Sequence, residues 1–337
     1  MTGSADEPSA ATQPRVTGSA DEPSTAIQRV ADPADEPSAA TQRVADSPDE
    51  VRLLCWPFHN GLRNVSMGAG ATKLAADEEL RARIRAAGWR LGDDEIEPVD
   101  ESDPEIVRVI QLVRRLAVHV RRATAEGAFP LVLAGNCNSC LGTTAGIGAS
   151  DLGAVWFDAH ADFDDPEENE SGFFDVMGLA MLTGRGWHAL RNTIPGHVPL
   201  PERSVILAAV RDLEPYQRRR LQKSDLATVP GNIDPDWFDQ ALRDLANRVS
   251  RVYLHVDLDS IDTTDARANA YAAAGGPSLD RLLECLRLAC ARVSIASAAI
   301  TAYDPAFDAD GRTLAAARRV AGVIANGTRL QTTTDTS

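Results

Sequence analysis

The most constraining feature of this chain is an apolar run at residues 152–157 that passes directly into the motif D-A-H-A-D at 158–162. Side chains of an extended segment alternate between its two faces, so Asp158, His160 and Asp162 can converge at the end of a buried strand. Carboxylate oxygens with one imidazole suit Mn²⁺, Fe²⁺ or Zn²⁺ better than Ca²⁺. The spacing therefore indicates a metal site, with a solvated acidic loop and a chance histidine as the alternative.

A second acidic cluster repeats this pattern. The apolar run 251–256 leads into Asp257 and Asp259, again two residues apart at the end of a predicted strand. So many carboxylates in one site cannot all ionise without cations between them. Two divalent ions that share a bridging carboxylate or hydroxide would balance the charge. Two unrelated acidic loops are the alternative.

Predicted strands and helices alternate along most of the chain. The pattern predicts strands at 51–57, 129–134, 152–157, 203–210, 251–256 and 293–301, and helices at 73–88, 104–125, 177–184, 214–224, 234–247, 279–292 and 312–325. Buried strands alternating with helices predict an α/β fold with a mostly parallel sheet covered on both faces. Functional groups of such folds gather at the carboxyl ends of strands, where the acidic motifs lie.

Composition excludes several classes of partner. The 337 residues, 44% of them hydrophobic, suffice for one large α/β domain or two small ones. A net charge of −15 argues against nucleic acid and anionic membranes as partners. No apolar stretch approaches the ~20 residues of a membrane span, and the first residues do not resemble a secretory signal. Five cysteines, an odd number, favour reduced thiols and a cytoplasmic location.

The first 50 residues differ from the rest. A short acidic unit recurs at 5–13, 20–28 and 34–42, and residues 1–50 hold ten acidic residues and three arginines. The repeat is too short and too polar to bury a core, so we predict a disordered acidic tail. A role in solubility or spacing is favoured over partner binding.

Two motifs carry a family resemblance over residues 51–325. The chain resembles the arginase/agmatinase (ureohydrolase) superfamily, whose D-A-H-x-D motif is matched in full at 158–162. The superfamily's S-x-D-x-D-x-x-D motif is matched by Asp257, Asp259 and Asp262, with His255 where serine usually stands. Residues 326–337 would then be a polar C-terminal tail.

The resemblance implies a three-layer α/β/α, arginase-like fold and two Mn²⁺ ions. It implies that Asp158 and Asp257 bridge the metals, that Asp162 binds one metal, and that His160 with Asp259 binds the other. A metal-bridging hydroxide would then attack the carbon of an amidine or guanidine. Relatives form trimers and hexamers, which leaves a homo-oligomer open.

The chain departs from the family pattern at its first metal motif, G-G-D-H-S. Cys137 occupies the position of the histidine ligand. A thiolate can bind a divalent metal, but it is softer and biases the site toward Zn²⁺ or Fe²⁺. Alternatively, Cys137 is a small buried residue and that metal is weakly held or absent.

Two further departures concern the substrate. Asp175 replaces a histidine proposed to shuttle protons, and a carboxylate can do this work if its pKa is raised, which makes Asp175 the candidate catalytic residue. Ala302 replaces a glutamate that faces the guanidinium, which makes ordinary arginine a doubtful substrate. Thr301 or Asp304 could compensate, although Asp304 is more typical of a residue that opens a turn before proline. The residues predicted to contact substrate are Asn138, Asp262, Thr301 and Asp304.

The sequence thus predicts a metal-dependent hydrolase of a C–N bond in a small guanidino or amidino substrate. The alternative is a catalytically altered relative that binds metal or ligand without ureohydrolase activity. Specificity is expected to lie in the loops at 60–71, 166–176 and 265–276.

Overall fold

The computed structural model describes residues 49–334. The predicted acidic tail lies outside the described residues, apart from its last two positions. Within the described part, no helix combines the length and the apolarity that crossing a bilayer requires.

A central sheet of eight strands organises the domain, in the order β4-β1-β5-β10-β9-β6-β7-β8, and every neighbouring pair is parallel. Its strands are β1 (Glu50–Trp56), β4 (Arg90–Glu95), β5 (Ala128–Ala134), β6 (Leu152–Phe157), β7 (Val205–Val210), β8 (Ala227–Pro230), β9 (Arg251–Asp257) and β10 (Ile295–Thr301). A small antiparallel hairpin is formed by β2 (Phe58–His59) and β3 (Leu62–Arg63).

Helices cover both faces of the sheet. They are α1 (Met67–Ala75), α2 (Glu78–Ala86), α3 (Glu105–Ala125), α4 (Ser139–Ile147), α5 (Gly178–Leu182), α6 (His188–Arg191), α7 (Pro215–Gln222), α8 (Pro235–Ala246), α9 (Leu279–Arg292) and α10 (Arg312–Thr334). Alternate residues of a strand enter different cores. Val155 belongs to the core that includes residues of α2, α8, α9 and α10, whereas Trp156 belongs to the core that includes residues of α3, α4 and α5. The predicted three-layer α/β/α fold is confirmed.

The segment before the first predicted helix was interpreted wrongly. The glycine-rich residues 67–71 were expected to be a loop, but they form the first turns of α1. A Cβ atom on Gly70 would lie 1.7 Å from the carbonyl oxygen of Tyr303, so glycine is needed there for close packing. The predicted helix 73–88 is two helices, because Asp77 caps α2 by accepting from the backbone nitrogen of Leu80 at 2.8 Å.

The edges of the domain were also missed. Strand β4 carries three acidic residues in six positions, and this polar sequence lacks the apolar run on which strand prediction depends. The last helix was expected to end at 325 and to give way to a polar tail, but it continues to Thr334. Its extra turns include Thr328, which is buried and donates from its hydroxyl to the Ile324 carbonyl at 2.8 Å.

Candidate metal centre

Strand register brings the two acidic motifs together. On neighbouring strands β6 and β9, Trp156 lies opposite His255 and Phe157 opposite Val256, so Asp158 and Asp257 follow directly at the ends of the two strands. On the other side of β9, Thr301 of β10 lies opposite Asp257. The carboxyl ends of three central strands thus meet at one place, as parallel α/β sheets favour.

A first group of possible ligands consists of Asp158, His160 and Asp259, which each offer an atom within 4.8 Å of the others. The Nδ1 atom of His160 lies 3.3 Å from Asp158 Oδ1 and 3.4 Å from Asp259 Oδ2. Asn269 donates from Nδ2 to Asp259 Oδ2 at 3.2 Å and so orients that carboxylate. Two carboxylates and one imidazole form a donor set that suits Mn²⁺, Fe²⁺ or Zn²⁺.

A second group shares Asp158 and adds Cys137 and His255, all three buried and again within 4.8 Å of one another. The thiol of Cys137 donates to Asp257 Oδ2 at 3.0 Å. Its sulfur also lies 3.3 Å from the hydroxyl of Thr301. Cys137 is therefore both buried and in contact with the acidic centre, and its role as a metal ligand stays a prediction.

Asp162 lies outside both groups but beside them. It is buried, and its φ of 46° turns the chain sharply after His160. Its carbonyl accepts from the backbone nitrogen of Ala180 at 3.0 Å, which ties the turn to α5. Asp162 faces the same cavity as the other candidate ligands.

That cavity has a volume of about 510 Å³, a size that suits a small molecule. Its lining comprises Asn60, Met67, Glu105, Cys137, Asp158, His160, Asp162, Ser171, Gly172, Phe173, Asp175, Val176, Asp257, Asp259, Asn269, Tyr271 and Ala302. All three loops that were expected to determine specificity contribute to this wall. Among the described residues that line it, none is lysine or arginine.

Several lining residues were not singled out by the sequence, and four of them bear on the chemistry of the cavity. Glu105 opens α3, and the chain offers no motif that would single it out. Phe173 and Tyr271 stack at 5.7 Å between ring centroids and come from two different loops. Asn269 holds Asp259 and donates to the Ala302 carbonyl at 2.9 Å. Only their position in loops expected to carry specificity could have pointed to the last three.

The ionisation of the centre reflects crowded negative charge. Burial, together with the neighbouring carboxylates, raises the pKa of Asp158, Asp162 and Asp257. Burial would lower the pKa of His160, but the charges of Asp259 and Asp158 outweigh it and raise the pKa to about 10. The crowding thus disfavours a fully ionised centre unless cations balance its charge.

Asp175 lines the cavity and also anchors the turn before α4. Its Oδ2 accepts from Asn136 Nδ2 at 2.6 Å and from the Cys137 nitrogen at 3.1 Å. Its Oδ1 accepts from the Asn138 nitrogen at 2.8 Å. Burial outweighs these hydrogen bonds and raises the pKa of Asp175 to about 6. The carboxyl thus has both a positioning task and a pKa suited to proton transfer near neutral pH.

The four residues predicted to contact substrate lie behind or beside the cavity wall. Asn138 is buried, and its Oδ1 has no hydrogen-bond partner among the described residues. Thr301 contacts Cys137 and lies behind it. Asp304 caps a short turn by accepting from the Ala306 nitrogen at 2.9 Å.

Asp262, the fourth of these residues, closes the loop at 265–276. It accepts from Thr264, Gly275 and Gly276. These bonds lower its pKa to about 2. The side chains of Thr301, Asp304 and Asp262 are each explained by a local contact, and none of the four residues lines the cavity.

Comparison with known proteins agrees with this geometry. The model of the arginase family matches residues 52–325. The chain belongs to the arginase family. It is 28% identical to the arginase of Bacillus caldovelox over 277 residues, which span 78% of this chain and 92% of that protein. It is 30% identical to the arginase of Bacillus subtilis (strain 168) over 231 residues, 64% of this chain and 76% of that protein.

Solved structures of the arginase family share the fold. The arginase from Bacillus caldovelox superposes with a TM-score of 0.73 at 24% identity, over 82% of this chain and 98% of that chain. The formimidoylglutamase from Bacillus subtilis superposes with a TM-score of 0.61 at 18% identity, over 85% of this chain and 88% of that chain. Family membership makes the chain a metal-dependent hydrolase of the ureohydrolase type.

The residues of this chain fit the two-metal site that arginase-family proteins possess. Asp158 belongs to both ligand groups, as a bridging carboxylate should. The raised pKa values of Asp158, Asp162 and Asp257 indicate crowded negative charge, and no lysine or arginine among the described lining residues offsets it. Divalent cations would supply that charge.

Proposed function

We propose that this chain hydrolyses a C–N bond in a small molecule that carries an amidine or guanidine group. The observation that carries the proposal is the pair of ligand groups that share Asp158 at the base of a cavity of about 510 Å³. When bound, two divalent cations would lower the pKa of a water molecule and polarise the amidine or guanidine group of the substrate.

The chain's own residues support this chemistry in distinct ways. Asp158, His160 and Asp259 would hold one cation, and Asp162 and Asp257 would contribute to the other. Asp175, with a pKa raised by burial to about 6, would accept and return a proton at the cavity wall. The stacked rings of Phe173 and Tyr271 would exclude water from one side of the substrate.

The test combines metal analysis with product release. Protein purified without added metal and then loaded with Mn²⁺ should hold about two ions per chain. It should release urea or ammonia from at least one member of a panel of guanidino and formimino compounds. Protein that holds less than one ion per chain and releases neither product would contradict the proposal.

A second candidate function is a relative that binds metal or ligand without hydrolysis. The three positions that depart from the family pattern, Cys137, Asp175 and Ala302, all line the cavity, which favours this reading. The triple variant C137H/D175H/A302E discriminates between the two. If only this variant releases urea or ammonia, the natural chain is a binding protein.

The cavity wall favours a substrate whose far end is cationic or neutral rather than anionic. Its described lining offers no lysine or arginine to pair with a carboxylate. Glu105 forms no hydrogen bond or close ion pair among the described residues, and burial raises its pKa although the charge of Arg108 opposes the shift. The rings of Phe173 and Tyr271 add a surface to which cations are attracted. Glu105 thus supplies a carboxylate to the cavity wall, whereas Ala302, at the position of the family's glutamate, supplies none.

Replacing Glu105 by glutamine should raise KM about 10-fold for a substrate with a cationic far end, since one charge-assisted contact contributes about 1.4 kcal/mol. The value of kcat should change little, because Glu105 belongs to neither group of candidate metal ligands. Glu101→Gln, an exposed residue outside the lining, is the control. Equal KM increases for cationic and neutral substrates would contradict the assignment.

The metal-free protein should lose stability as pH rises above about 4. A carboxyl whose folded pKa lies above its unfolded value lowers stability as pH rises between the two values, which for Asp175 are 3.8 and about 6. Asp158, Asp162 and Asp257 shift in the same direction. Thermal melts in EDTA should therefore show a falling Tm, and Mn²⁺ should remove the fall. A Tm that is flat in EDTA would contradict this expectation.

A further inference from the structure

We propose that His255 is a metal ligand together with Cys137 and Asp158. Its imidazole would replace the one that the family pattern places at position 137. The cysteine at 137 and the histidine at 255 are then two parts of one exchange. The imidazole ligand lies on β9 instead of after the end of β5. The inference rests on the metal-binding part of the proposed function and is independent of the substrate.

The first argument is proximity. Residues 137 and 255 are far apart in sequence, yet Cys137 Sγ, an Asp158 oxygen and a His255 nitrogen all lie within 4.8 Å of one another. The hydroxyl of Thr301 lies 3.3 Å from the sulfur and 3.3 Å from His255 Nε2. Sulfur and imidazole therefore face the same small space, beside the shared carboxylate.

The second argument is orientation. The ring of His255 stacks on Trp156 with centroids 3.6 Å apart and planes 11° apart. Its Nδ1 lies 2.8 Å from the hydroxyl oxygen of Tyr253, two residues earlier on the same strand face. With Nδ1–H donating to Tyr253, Nε2 carries the lone pair, and it lies 3.3 Å from the Thr301 hydroxyl that also contacts the sulfur. Metal-binding histidines are commonly held in this way by a partner at the other ring nitrogen.

The third argument is chemistry. His255 is fully buried, and the ring nitrogen that carries no proton can bind a cation. The Cys137 thiol would release its proton on metal binding, as thiol ligands do. One sulfur, one nitrogen and carboxylate oxygens form a softer donor set than Asp158, His160 and Asp259. This half of the centre should therefore prefer Zn²⁺ or Co²⁺ to Mn²⁺.

Cobalt spectroscopy tests the inference without any measurement of turnover. Full-length protein loaded with Co²⁺ should show a thiolate-to-cobalt charge-transfer band and about two ions per chain. His255→Ala should lose the band and fall to about one ion, and Cys137→Ser should lose the band as well. His59→Ala is the matched control, because His59 is a half-buried imidazole that lies 3.4 Å from Asn136 but belongs to neither ligand group.

The exchange itself is tested by the swap variant C137H/H255S, which restores the family pattern. It should regain about two ions per chain without the charge-transfer band, and its preference should shift toward Mn²⁺. If His255→Ala fails to fold, X-ray absorption of the zinc-loaded wild-type protein decides. It should then report one sulfur neighbour at ~2.3 Å and two imidazoles for every two zinc ions.

The inference is overturned if His255→Ala keeps the wild-type metal content and cobalt spectrum, or if the zinc-loaded protein shows a single imidazole. It is equally overturned if the wild-type protein lacks the thiolate band. Protein that shows the band and both imidazoles but hydrolyses nothing upholds the inference and counts against the proposed activity alone.

Discussion

Asp158→Asn is expected to abolish hydrolysis, with a loss of at least ~10³-fold in kcat/KM, and to lower the metal content from about two ions per chain to one or none. Asp158 is the residue that both ligand groups share. An amide oxygen carries no charge to balance a cation, and its NH₂ group would face the imidazole of His160, 3.3 Å away in the present arrangement. One substitution should therefore weaken both cation sites.

The measurement pairs metal analysis by mass spectrometry with a urea and ammonia assay. Asp212→Asn is the control, since this exposed carboxylate lies 3.7 Å from His160 Nε2 but belongs to neither ligand group. It should retain both ions. If Asp158→Asn keeps two tightly bound ions and wild-type turnover, the shared-ligand assignment is wrong.

Asp175→Ala should destabilise the protein by about 3 kcal/mol, which corresponds to a fall in Tm of roughly 8 °C. Removal of the carboxylate leaves Asn136 Nδ2 and the backbone nitrogens of Cys137 and Asn138 without their buried acceptor. Each such donor costs about 1–3 kcal/mol, and relief of the buried charge offsets part of the sum.

The same substitution should disturb the second ligand group, because the released turn carries Cys137. Thermal melts with and without metal separate the two effects. Val176→Ala, at the neighbouring lining position, is the control and should cost only about 1 kcal/mol. An Asp175→Ala protein as stable as Val176→Ala would show that the carboxylate is not the anchor of the turn.

The sequence predicted the architecture well where strands are buried on both faces. Runs such as 152–157 are apolar throughout, so their strand character and their place at the sheet centre could be read directly. At the edges, β4 is polar because one side of it meets solvent, and the same rule fails. The glycines of α1 were interpreted as part of a loop because glycine occurs both in flexible loops and where a helix packs closely against a neighbouring backbone.

The metal motifs were predictable because their spacing and the strand they follow belong to one continuous segment. His255 was noted only as a departure, since its meeting with Cys137 depends on the strand order around β9, which local pattern does not reveal. Glu105 and Tyr271 were missed for the same reason. They reach the cavity from a helix end and a loop that are separated by more than half the domain's sequence.

The close packing of α1 against Tyr303 limits how the substrate selectivity of this protein can evolve. Gly70 leaves no room for even a methyl group beside Tyr303. The first turn of α1, which contributes Met67 to the cavity wall, therefore tolerates few substitutions. Ser171 and Tyr271, by contrast, are exposed residues that line the cavity in the two other loops. Adaptive change toward new substrates should therefore accumulate in the loops at 166–176 and 265–276, and libraries that randomise these loops should yield more active variants than libraries built at 60–71.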